Sequence, residues 1–161
     1  MKVAVIADTH TRGQSRPVPT GAWPFLETAD HILHAGDVVE PALLDELKSL
    51  APLTVVMGNC DAFDVRAWGA LQETTLELGG VTVGMIHDSG SKDGRRARMR
   101  KRFPGARVVV FGHSHLPVND DDGDLLLFNP GSATWKRMAP YTSMGLLWIE
   151  NGTVEGEIVP V

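Results

Sequence analysis

Asp8-Thr9-His10, Gly36-Asp37, Gly58-Asn59-Cys60-Asp61 and Gly112-His113-Ser114-His115 are short polar clusters rich in metal-binding residue types. His87 adds a fifth position, alone after an apolar run. Together they offer Asp8, His10, Asp37, Asn59, His87, His113 and His115 as donors. That set is large enough for two cations sharing a bridge, and a two-metal site is suited to phosphate ester chemistry. Nitrogen and oxygen donors without thiolate favour Mn, Fe, Co, Ni or Zn over Ca.

Each cluster follows a segment that reads as a buried strand. Lys2–Ala7, His31–Ala35, Leu53–Met57 and Arg107–Phe111 are apolar runs rich in β-branched residues, and each is closed by a ligand type or by glycine. Asp8 and His10 are two positions apart, as are His113 and His115. On an extended segment both members of each pair would point the same way. Trp23–Thr28, Pro41–Leu50 and Arg95–Arg102 read as helices, the second opened by a proline suited to a first turn. Thr11–Thr20 reads as a loop. Thr74–Leu78, Gly79-Gly80 and Val81–Ile86 form a hairpin signal. Leu125–Phe128, Met144–Glu150 and Thr153–Val159 complete the strands, with Asn151-Gly152 turning between the last two. Strand–helix–strand order predicts parallel pairing through right-handed crossovers. Two mixed sheets face to face with helices outside are expected, as one domain over residues 1–161. In such sheets a site lies beyond the carboxyl ends of the strands.

Composition narrows the class. The chain of 161 residues is 43% apolar and 22% charged, with a formal net charge of −5. The acidic balance argues against a general nucleic-acid binder. A single Cys excludes an internal disulfide and fits a reducing compartment. No apolar run reaches the length of a membrane span. Asp8 and His10 interrupt what would otherwise resemble the core of a signal peptide, so a cytoplasmic location is expected.

In order and spacing, Asp8-Thr9-His10, Gly36-Asp37, Gly58-Asn59, His87 and Gly112-His113-Ser114-His115 resemble the calcineurin-like metallophosphoesterase superfamily, in particular its small single-domain phosphodiesterase subgroup. Asn129-Pro130-Gly131-Ser132 is similar to the loop after that subgroup's His-x-His strand. The resemblance implies a four-layer αββα sandwich and two divalent transition-metal ions, Mn first, with Fe, Zn, Ni or Co as alternatives. It assigns Asp8, His10 and His115 to one ion, Asn59, His87 and His113 to the other, and Asp37 to both. The implied reaction is hydrolysis of a small phosphoester, a phosphodiester before a monoester, by a hydroxide bridging ions roughly 3.5–4 Å apart. Many members carry a His after the metal-binding Asn that protonates the leaving group. Cys60 stands there, so the general acid is unassigned, and Asp61, which would orient such a His, has no role. Asp88 stands where glycine commonly follows the lone His.

Other features have plainer readings. Arg95, Arg96, Arg98, Arg100, Lys101 and Arg102 read as a solvated helix face, or alternatively as a rim for anions. Asp120–Asp124 lacks the spacing of a calcium loop and reads as a hairpin turn. His31 and His34 read as packing residues, Cys60 as a buried small side chain, and Lys136 and Arg137 as a solvated pair within reach of a phosphate. Trp135 is the one tryptophan suited to a pocket wall. The rival to catalysis is a metal-binding scaffold for protein–protein contact on the same fold, as in a retromer subunit related to the subgroup. A nuclease is disfavoured by the acidic charge. Self-association stays open.

Overall fold

A computed structural model describes residues 1–13 and 15–161. The first sheet contains β1 (Lys2–Ile6), β2 (His31–His34), β3 (Leu53–Val55), β9 (Ser143–Glu150) and β10 (Thr153–Pro160), in the order β10-β9-β1-β2-β3. The second contains β4 (Glu73–Leu78), β5 (Val81–Ile86), β6 (Val108–Val110), β7 (Val118–Asp121) and β8 (Leu126–Asn129), in the order β4-β5-β6-β8-β7. Both are mixed: β1-β2-β3 and β5-β6-β8 run parallel, and their neighbours run antiparallel. The helices are α1 (Trp23–Glu27), α2 (Pro41–Leu50), α3 (Phe63–Trp68) and α4 (Arg95–Arg102).

Three apolar clusters produce the layering. Val3, Val5, Leu33, Val83, Met85, Val108, Val110, Phe128 and Leu147 fill the space between the sheets. Ala4, Ile6 and Ile32, on the opposite face of the first sheet, pack with Leu26, Leu43, Leu44, Leu47 and Val65 from α1, α2 and α3. Val109, Phe111 and Leu127 pack with Met99 and Phe103 of α4 and the segment after it. Period-two alternation therefore sends each central strand into two cores, and the αββα sandwich follows.

Most expected elements occur, with α2 and α4 at the anticipated boundaries. Two elements were not anticipated. Helix α3 is six residues long and buries only Val65, too little for a visible period. Strand β7 reads Val-Asn-Asp-Asp and looks like a turn, yet it pairs with β8 at the sheet edge. The bend itself falls just beyond it, at Gly123-Asp124. The Thr11–Thr20 loop lies outside the helices and strands, and its residue 14 lies outside the described residues.

The basic run is neither freely solvated nor an open rim. Arg96 pairs with Asp120 and Asp122, Arg100 with Asp122 and Asp124, and Arg102 with Glu73. Arg98 donates to the carbonyls of Ser89, Ser91 and Asp93. The arginine helix and the acidic turn are two halves of one ion-pair network. Charges on β7 also make this edge a poor template for strand addition.

Candidate metal centre

The carboxyl ends of β1, β2, β3, β5 and β6 lead directly into Asp8, Asp37, Asn59, His87 and His113. Both sheets contribute, so the site straddles the inter-sheet core. The extended geometry expected for the two x-spaced pairs is not found. Asp8, His10, His113 and His115 have φ of 52°, 44°, 68° and 59°, and Asp37 has 56°. A left-handed backbone at a non-glycine residue costs of order 1–3 kcal/mol and clusters at functional sites. Each deeply buried Val, Leu or Ile in the adjoining cores contributes roughly 1.5–3 kcal/mol, enough to hold such strain. Pairing also continues past the strand ends. Asp8 N–H donates to Gly36 O at 2.9 Å and His10 N–H to Asp37 O at 2.8 Å.

The seven sequence-derived residues converge. On one side, His115 Nε2 lies 3.5 Å from Asp8 Oδ1 and 3.2 Å from His10 Nε2. On the other, Asn59 Oδ1 lies 3.2 Å from His87 Nε2 and 2.8 Å from His113 Nδ1. Asp37 Oδ2 stands between, 3.5 Å from both His10 Nε2 and His87 Nε2. Donors around one cation at about 2.0–2.2 Å sit roughly 3.0–3.5 Å apart, so these separations suit ligand sets. Asp8 Oδ2 is buried and has no hydrogen-bond partner among the described residues. The other oxygen, Oδ1, faces His115 Nε2, so this buried carboxylate keeps unsatisfied acceptor capacity of the kind a cation would use. Cys60, expected to be buried, is instead exposed at the rim, where it groups with His10 and Asp37, because the Asp37 carboxylate holds its N–H at the loop surface.

Carbonyls orient the rings. His87 Nδ1–H donates to Ala35 O at 2.7 Å, and His115 Nδ1–H to Trp135 O at 2.5 Å. In its neutral form each ring then turns an Nε2 lone pair inward, the arrangement common to metal-binding imidazoles. Burial pushes His115 down to about 4 and also lowers His10, so both stay neutral near pH 7. Burial pushes Asp8 up to about 7, opposed by the charge of His87. Asp37 is also partly desolvated, but hydrogen bonds from His87 and the Cys60 N–H hold it well below the ordinary carboxylate range. Burial alone would lower His87, yet the Asp37 hydrogen bond and the Asp8 charge raise it. His34 lies beneath the site, wholly buried and pushed down to about 3 by desolvation. It donates to Thr9 Oγ1 at 3.0 Å and accepts from Gly36 N–H at 3.2 Å, a packing role. His31 contacts Thr54 Oγ1 at 2.9 Å and is also remote from the cluster.

Sequence reasoning left Asp61 without a task. Its Oδ2 accepts from the N–H of Gly58 at 2.7 Å and of Asp37 at 3.0 Å, and its Oδ1 from Val39 N–H at 2.8 Å. One carboxylate thus ties the loop after β2 to the loop after β3. Close packing at Gly36 and Gly58 serves the same join. A Cβ on Gly36 would meet Gly58 N and His87 Nδ1, each at 2.7 Å, and one on Gly58 would collide with the Asp37 carboxylate. The Asn-Pro-Gly-Ser loop braces the other side. Asn129 Nδ2 donates to Gly112 O at 2.9 Å, and Ser132 Oγ to Asp8 O at 2.7 Å. Asp61→Ala is expected to destabilise the metal-free protein by about 1–3 kcal/mol in urea melts, because three partly buried N–H groups lose a charged acceptor. An unchanged melt would mean that water replaces the carboxylate at no cost.

Comparison with known proteins agrees with this geometry. The calcineurin-like phosphoesterase superfamily domain matches residues 1–152. A probable metallophosphoesterase from Methanocaldococcus jannaschii is 34% identical over 100% of this chain and 82% of its own length. Zinc-complexed Vps29 from Entamoeba histolytica superposes with a TM-score of 0.78 at 24% identity, covering 99% of each chain. A protein described as a novel archaeal phosphodiesterase superposes at 0.77 with 20% identity, covering 99% of this chain and 100% of its own. Among the described residues no helix is long and apolar enough to cross a membrane. The strand-end donors, the two mixed sheets and the domain match agree: the chain belongs to the calcineurin-like phosphoesterase superfamily.

Proposed function

We propose that residues 1–161 act as one metal-dependent phosphoesterase unit that hydrolyses phosphodiesters in preference to monoesters. The observation that carries this reading is Asp37 Oδ2 at 3.5 Å from both His10 Nε2 and His87 Nε2, a carboxylate between two donor sets. Asp8, His10 and His115 would hold one divalent ion, Asn59, His87 and His113 a second, and Asp37 both. Two such ions supply Lewis acidity and an activated water at neutral pH. Ring orientation by the Ala35 and Trp135 carbonyls keeps the Nε2 lone pairs of His87 and His115 available for them. With only two carboxylates in the set, the loaded centre stays positive and attracts a phosphate anion.

The chain itself supplies space and orientation for the ester groups. A cleft of about 310 Å³, lined by Met57, Asn59, Gln72, His87, Asp88, Arg102 and His113, opens beside the second donor set. It offers room for an alcohol group that a monoester lacks. Cys60 is a poor acid: burial and the Asp37 carboxylate raise its thiol above the ordinary value. The leaving oxygen must therefore be a stable base in its own right. The relative described as a phosphodiesterase supports the diester reading. Protein stripped of metal and reloaded with Mn²⁺ should cleave an aryl phosphodiester, and more slowly the matching monoester. Stoichiometric metal uptake without turnover on either would discard it. That result would favour the second reading, a protein-contact scaffold, which the Vps29 likeness and exposed Phe63 and Met138 support.

A further inference from the structure

Trp135 borders the first donor set, its ring centroid 5.5 Å from that of His10 and 5.4 Å from that of His115. The indole is 41% exposed. Two guanidiniums lie over it, Arg16 Cζ at 4.7 Å and Arg137 Cζ at 4.6 Å from the ring centroid. Arg137 is held by a positive φ of 49° and reaches toward His113 O at 3.5 Å. Neither arginine enters an ion pair with a carboxylate among the described residues, whereas the arginines of α4 are paired with Asp120, Asp122, Asp124 or Glu73, or bound to carbonyls. Through Trp135, whose ring lies against those of His10 and His115, both guanidiniums sit at the edge of the centre. Two stacked, unpaired guanidiniums at the edge of a phosphate site form a receptor for a second anion, because the planar fork matches phosphate oxygens.

We propose that the Arg16–Trp135–Arg137 rim binds a phosphate carried by the leaving group, so that the preferred substrates are diesters of diphosphate rather than simple alkyl or aryl phosphodiesters. The inference rests on the phosphoesterase reading and names its substrate class. The chemistry of the neighbouring position agrees with it: beside Asn59 the chain places Cys60 and no imidazole, so a leaving group that departs as a stable anion suits the site. Phosphate is such a group. The oxygen of water forms the new P–O bond, and the P–O bond to the second phosphate breaks with its electron pair on the departing oxygen. The protons of water pass to the products and solvent, and the charge on the departing phosphate meets the two guanidiniums. No oxidant or further reactant is involved.

The test compares Mn²⁺-loaded wild type with Arg16→Gln/Arg137→Gln on ADP-ribose and on thymidine 5′-p-nitrophenyl phosphate. The ratio of kcat/KM for the diphosphate to that for the simple diester should fall at least about tenfold in the variant, chiefly through KM of the diphosphate. A ratio that stays constant, whether both rates fall together or neither changes, would overturn the proposal. A separate measurement is independent of turnover and of metal. Titration of metal-free protein with inorganic pyrophosphate should quench tryptophan fluorescence, with a Kd that rises at least about tenfold in the double variant and a signal that Trp135→Phe removes. Equal affinity in wild type and the double variant would reject the rim as an anion receptor. Absence of hydrolysis alone, with pyrophosphate binding intact, would instead count against the phosphoesterase reading and leave the receptor standing.

Discussion

Asp37→Asn is expected to lower kcat/KM for an aryl phosphodiester by at least roughly 10²–10³-fold, the cost of removing a charge-stabilising group from a preorganised site. Metal content should fall in parallel, because one carboxylate oxygen faces the donors of both sets at 3.5 Å. An asparagine retains Oδ1, which accepts the Cys60 N–H at 2.7 Å in the wild type, so the loop between β3 and α3 should keep its course. The new amide nitrogen would take the Oδ2 position between the inward lone pairs of His10 and His87. There it donates hydrogen bonds where a cation would accept electron pairs. The remaining carboxylate, Asp8, cannot hold two divalent charges alone. His31→Gln is the control, since His31 is half-buried and contacts Thr54 rather than the cluster. Elemental analysis after dialysis and steady-state kinetics would both read the effect. Equal losses in the two variants would remove Asp37 from the bridging position.

How far the site could be read from residues alone depends on which physical layer is asked about. Which polar residues would meet was legible, because Asp8, Asp37, Asn59, His87 and His113 each follow the carboxyl end of an apolar strand. The strands were legible for a related reason: Val3, Val5 and Val83 face one core while Ala4 and Ile6 face another, leaving continuous apolar runs. The backbone at the donors was not legible. Two-residue spacing suggested an extended pair, yet Asp8, His10, His113 and His115 are left-handed, and only surrounding packing can impose that. The role of Asp61 was hidden because its partners, the N–H groups of Gly58, Asp37 and Val39, come from two separate loops and have no side-chain signature. Strand β7 escaped because an edge strand carries charges for reasons of pairing, here with Arg96 and Arg107, and not for alternation.

The same contrast bears on stability, since the proposed donor set buries the Asp8 carboxylate in the metal-free fold. Asp8→Asn should stabilise the metal-free protein at pH 8 by about 1–3 kcal/mol while abolishing stabilisation by Mn²⁺, a separation of fold from function. Burial raises the Asp8 carboxyl from 3.8 to about 7. Between those values the folded state holds a proton that the unfolded chain has lost, so this group's contribution is full below pH 3.8 and disappears as pH rises through 7. His34 acts in the opposite direction. Its folded value of about 3 lies below the ordinary 6.5, so stability falls as the pH drops through that interval. His115, pushed down to about 4, adds a slope of the same sign as His34, so Asp8 offsets them only in part and the wild type in EDTA should gain stability with pH less steeply than Asp8→Asn. Removing the Asp8 charge should expose the His34 slope, with stability rising steadily from pH 4 to 7. A cation held by Asp8 would displace the proton, so Mn²⁺ binding near pH 6.5 should release protons, readable as a buffer-dependent calorimetric enthalpy and reduced in Asp8→Asn. If the variant instead melted below the wild type in EDTA at pH 8, Asp8 would already possess an adequate partner, and the buried unpaired oxygen would no longer argue for a bound ion.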